Sequence, residues 1–146
     1  MYKVEKDVSN ILEIERQLID EYAEIEKKTT LSNIRSFVNA FRQANSEIAD
    51  SVKMEKNPNP AYVVGNVAKP IHSTEHMISR AVDVGSLSSV LLFLAKSEDY
   101  SAKEISRIVN KINFPPTFLK NIEIEKEKLA SKADRLYHDL VETKMS

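Results

Sequence analysis

Apolar residues recur at three- and four-residue spacings almost from the start of the chain. Val4, Val8, Ile11, Leu18, Tyr22 and Ile25 fall on one stripe, with mostly charged positions beside it, and predict an amphipathic helix over residues 3–28. Glu15 alone interrupts that stripe. A second stripe, Leu31, Ile34, Val38, Phe41, Ile48 and Val52, predicts a helix that Thr29 or Thr30 can cap. It must end near Lys56, because Asn57-Pro58-Asn59-Pro60 removes backbone donors and disfavours the helical conformation before each proline. Residues 56–60 are therefore a loop within one domain spanning 1–146, since neither half carries enough apolar surface for a core of its own.

Beyond that loop the pattern is less regular. In residues 61–69, Tyr62, Val63, Val64 and Val67 would suit a short strand, but Asn59 as cap and Pro60 at the first helical position favour a short helix, and Pro70 opens another segment up to Gly85. Ser86 starts a helix that is apolar nearly all round through Lys96, which suits the centre of a bundle. Ser101 and Glu104 have the spacing of a capping box and predict a new short helix carrying Ile105, Ile108, Val109 and Ile112. After Pro115-Pro116 the final helix shows Leu119, Ile122, Leu129, Ala133, Leu136 and Leu140 in a heptad-like stripe, with Lys126 in its one polar gap. It is expected to run to about Thr143, leaving residues 143–146 disordered. The predicted architecture is all-α: a four-helix bundle with additional short helices.

Composition narrows the chemistry. The chain has no cysteine, so it forms neither disulfides nor thiolate metal sites. Only two glycines occur, which argues against turn-rich β architecture and against a glycine-cradled phosphate site. The longest apolar run, Val90 to Ala95, is far short of the ~20 residues of a membrane span. The start of the chain lacks the apolar stretch of a signal peptide, and the expected location is a cytoplasm. A net charge of −1 does not suggest a direct nucleic-acid binder. Charge is unevenly spread, however: residues 1–28 carry eight acids against five bases, and residues 101–146 carry nine bases against seven acids.

Three motifs invite sharper readings. His72-Ser73-Thr74-Glu75-His76 has the H-x-x-E-H spacing that can place two imidazoles and a base on zinc, but a polar first turn after Pro70 accounts for the same residues. A di-iron bundle needs Glu three residues before His, and His72, His76 and His138 follow Lys69, Ser73 and Arg135 instead. A helix-turn-helix over Ser101 to Lys132 would present a recognition helix in which acids alternate with lysines, repelling phosphate nearly as much as attracting it. No nucleophile motif or Walker-type loop is present. The expectation is a binding protein with no catalytic residue, no metal and no cofactor, not an enzyme.

The last helix, FLKNIEIEKEKLASKADRL, and the proline-punctuated NPNPAYVVGNVAKPI together resemble a small family of helical-bundle proteins from two-tailed archaeal viruses, the bicaudaviruses. The likeness covers roughly a third of the chain. That family includes a virion protein and a viral inhibitor of host RNA polymerase, and the length and helix order agree better with the inhibitor. The resemblance implies a protein of the host cytoplasm that lodges in the DNA-binding channel of host RNA polymerase and blocks transcription; a virion structural role is the alternative it implies. A channel built for DNA is basic, so an occupant should offer carboxylates. Glu13, Asp20, Glu21 and Glu24 of the first helix are the candidate contacts.

Overall fold

The computed structural model describes residues 5–55 and 82–145. They form four helices: α1 (Glu5–Lys28), α2 (Ser32–Glu55), α3 (Leu87–Asn110) and α4 (Thr117–Met145). No strand occurs among the described residues, and the architecture is an all-α bundle. The loop at 56–60 and the short helices expected in 61–85 lie outside the described residues as far as residue 81, and residues 82–85 form a turn and no helix.

α1 and α2 are joined by residues 29–31 and pack closely as an antiparallel hairpin; α3 and α4, joined by 111–116, form a second one. Thr29 Oγ1 donates to the carbonyl of Val84 at 2.9 Å, which brings the start of α3 to the end of the molecule where α2 also begins. α2 and α3 thus run the same way, α1 and α4 the opposite way. Around the bundle the order is α1, α2, α4, α3, with α1 against α3 and α2 against α4 closing the ring.

Each helix forms because its stripe has somewhere dry to go. Ile11, Leu18, Tyr22 and Ile25 of α1, Ile34, Val38 and Val52 of α2, Val90, Phe93, Leu94, Ile105 and Val109 of α3, and Leu119 of α4 have no solvent exposure at all. At roughly 1.5–3 kcal/mol for each large apolar side chain removed from water, that interior is the main source of cohesion. Tyr22 meets Phe93 edge-on, with ring centroids 6.0 Å apart.

Helix ends follow local chemistry, with three departures from expectation. α3 begins at Ser86 as predicted, and Ser86 caps it, its Oγ accepting from Ser89 N–H. Thr29 does not cap α2: its hydroxyl accepts from Leu31 N–H, while the first helical bond, Arg35 N–H to Leu31 C=O at 3.0 Å, begins two residues further on. The expected break between Lys96 and Ser101 does not exist. α3 runs through it, and Ser101 is buried mid-helix, its hydroxyl donating to the carbonyl of Glu98, so it is no capping-box residue. Ser97, Glu98 and Ser101 look like a polar loop in sequence but face the core, where other helices supply the partners of Glu98. Finally, α4 stays helical through Met145, where disorder was expected from residue 143.

Candidate functional site

The interior contains charge. On α1 the stripe 8, 11, 18, 22, 25 is interrupted at Glu15; on α2 the stripe 34, 38, 41, 48, 52 is interrupted at Asn45. On α3 the stripe 91, 94, 101, 105, 108 is interrupted at Glu98, and on α4 Lys126 stands between Ile122 and Leu129. All four interruptions are completely buried. They meet, together with Tyr22, in one cluster midway along the bundle.

Lys126 is its hub. Its Nζ lies 2.8 Å from Glu15 Oε1 and 3.4 Å from Glu98 Oε1, and it donates to Asn45 Oδ1 at 2.6 Å. Glu98 is held on its other side as well: Oε2 accepts from the Tyr22 hydroxyl at 2.6 Å and from Asn45 Nδ2 at 2.7 Å. Asn45 Nδ2 also donates to the carbonyl of Phe41, which fixes the orientation of the amide. Glu15 is the less satisfied carboxylate. Its Oε2 has no hydrogen-bond partner among the described residues.

These surroundings set the protonation states. Burial pushes the Glu15 carboxyl up to about 7; Lys126 opposes the shift and the charge of Glu98 reinforces it. Burial pulls on Lys126 in the direction of neutrality, but Glu15 and Glu98 outweigh it and its pKa ends above the ordinary lysine value. Tyr22 is driven well above the ordinary phenol value by burial and then by Glu98, so it remains a hydroxyl donor. The cluster therefore sets an ammonium at Lys126 and a neutral phenol at Tyr22 beside Glu98, with a Glu15 carboxyl that titrates near neutrality. With no solvent exposure, its chemical capacity is to hold or release a proton and to bind helices together.

The acids singled out from sequence lie on the outer face of α1. Asp20 and Glu24 are exposed, Glu13 and Glu21 half-buried. Bases accompany them. Arg16 donates through Nε to Glu13 at 2.9 Å and through Nη1 to Asp20 at 2.8 Å, and Lys28 lies 3.8 Å from Glu24. The Arg16 bond holds the Glu13 carboxyl below its ordinary value. The face is thus laced with ion pairs along the helix, and it is less negative than the acids alone suggest.

A shallow hollow of about 530 Å³ runs between α3 and α4, lined in part by Leu92, Asp99, Ala130, Tyr137 and His138. His138 Nε2 lies 3.3 Å from Asp134, and both are exposed. Among the described residues no group of three or more His, Asp or Glu side chains could hold a metal ion, and no helix is long and apolar enough to cross a membrane. His72, Glu75 and His76 lie outside the described residues.

Glu15 and Lys126 were visible in sequence as interruptions, but nothing along the chain paired them. Asn45 and Glu98 were missed. Each occupies the vacant turn of a stripe that is otherwise apolar on α2 and, Ser101 apart, on α3, and that vacancy is the signal that could have found them. No family model matches the chain, and neither a curated protein nor a solved structure does.

Proposed function

We propose that the protein works by binding another macromolecule through the outer faces of its bundle, and that the partner is host RNA polymerase, entered at its DNA-binding channel to inhibit transcription. The binding role draws its support from where the chemistry sits. Glu15, Asn45, Glu98 and Lys126 spend their polar groups on one another inside a sealed core, which makes a rigid body and leaves recognition to surface side chains. The choice of polymerase rests on the resemblance of the last helix and the proline-rich segment to the bicaudavirus family. On α1, Asp20 and Glu24 are placed to exchange their internal ion pairs for bases on a channel wall.

The test is direct. The full-length protein, added to purified archaeal RNA polymerase, should co-elute with it and suppress transcription. Reversing Glu13, Asp20, Glu21 and Glu24 to lysine should leave the helical circular dichroism intact and weaken binding at low salt by about tenfold or more, as removal of complementary charge does at an interface. Equal affinity of the reversed protein would refute the acidic contact face. Failure of the native protein to bind any polymerase, with incorporation into virus particles instead, would favour the virion structural role.

A further inference from the structure

The polar cluster lies on a seam. The α1–α2 and α3–α4 interfaces are far more extensive than those joining one hairpin to the other. Across the weaker boundary, Tyr22 and Asn45 of the first hairpin donate to Glu98 of the second. Lys126 of the second donates to Asn45 and pairs with Glu15 of the first. Four of the cluster's polar contacts therefore tie the two hairpins together.

The charge on that seam does not balance when both carboxyls are ionised. Two carboxylates then share one ammonium, where there is no solvent. Glu98 has Lys126, Tyr22 and Asn45 around it, whereas Glu15 has Lys126 alone and an unpartnered Oε2. An excess charge buried without compensation is strongly unfavourable, and the less solvated carboxyl is the one that takes up a proton to remove it. We propose that a proton on Glu15 is the latch of the two-hairpin seam, and that losing it loosens the bundle.

The groups facing Glu15 are Tyr22 on its own helix, Glu98 on α3 and Lys126 on α4; α2 presents Asn45, which does not titrate. Tyr22 stays protonated and Lys126 stays charged, both with pKa values above their ordinary ones. Glu15 changes charge near neutrality, its carboxyl being pushed up to about 7 by burial. In the unfolded chain the same carboxyl ionises at its ordinary value of 4.5. Between those values the folded protein binds more protons than the unfolded one, so the latch is complete below the lower value and is lost as pH rises to the upper one.

The unfolding equilibrium constant should accordingly rise by about tenfold for each pH unit across that window and level off above it. Glu15→Gln, which copies the shape of the protonated carboxyl, should remove that part of the slope while other carboxylates keep theirs. Urea unfolding of the full chain and of Glu15→Gln, from about pH 5 to about pH 8, reads the difference. Carboxyl-carbon NMR of the wild-type protein reads the Glu15 midpoint without any substitution and decides the matter should the variant fail to fold. A neutral midpoint, with the slope abolished in any Glu15→Gln that folds, is the expected result. A midpoint at the ordinary glutamate value, or a slope that Glu15→Gln retains in full, overturns the latch.

Discussion

Burying an ammonium without solvent is unfavourable unless acceptors surround it, and Lys126 has three: Glu15, Glu98 and Asn45. Truncating one partner of such a group leaves the others desolvated and unpaired. Lys126→Met, which keeps most of the volume, should therefore destabilise the protein by about 3–5 kcal/mol in urea unfolding. A loss within error would mean that the carboxyls are satisfied without it. Phe114 presents the opposite case, a large apolar side chain 97% exposed at a φ of 59° in the turn between α3 and α4. Left-handed backbone costs a residue with a Cβ about 1–2 kcal/mol, and little burial is lost on removing this ring. Phe114→Gly should accordingly be neutral or raise stability by up to about 1 kcal/mol, the greater freedom of glycine in the unfolded chain offsetting part of the gain. A marked drop in thermal midpoint would show that the ring packs in solution.

Among the elements, α4 shows how far a stripe predicts burial. Leu119 is fully enclosed and Ala133 nearly so, whereas Leu129, Leu136 and Leu140 are only half-covered at the edge of the core. A heptad reading treats these positions alike, because it carries direction around the helix but not how far neighbours extend over it. Leu119→Ala should cost about 2–5 kcal/mol, and Leu129→Ala clearly less. Equal losses measured by thermal unfolding would place Leu129 deeper than described. α3 shows the converse. The run Lys96 to Ser101 reads as a break on local polarity, yet Glu98 continues the stripe that Leu91, Leu94 and Ile105 define, and partners on α1, α2 and α4 make it tolerable inside. Turn chemistry was more legible: the Ser86 cap and the arrest of α3 before Pro115-Pro116 depend on neighbours in the chain.

At the scale of the whole molecule, electrostatics acts in two places with different screening. The paired charges outside, such as Arg16 with Asp20, are exposed, contribute about 0–1 kcal/mol each and weaken with salt. The binding proposed for that face should therefore fall as ionic strength rises. The interior pair is shielded from ions, and its pH response should persist at high salt. The rise of the Glu15 carboxyl from 4.5 to about 7 corresponds to about 3 kcal/mol of stability lost on passing upward through that range, a large share of what holds a domain of this size.

What the sequence determined by itself was the all-α class and the apolar stripes of α1, α2 and α4, because period and proline position act within a few residues; that α3 is one helix and not two it did not show. It also marked Glu15 and Lys126 as polar among apolar neighbours. Only the tertiary structure decided that these two meet Glu98 and Asn45. Their pairing spans up to 111 residues of chain, from Glu15 to Lys126, and depends on how the two hairpins face each other. Whether a buried charge is a defect or a tie is set by the groups that surround it in space, and a linear pattern does not contain that information.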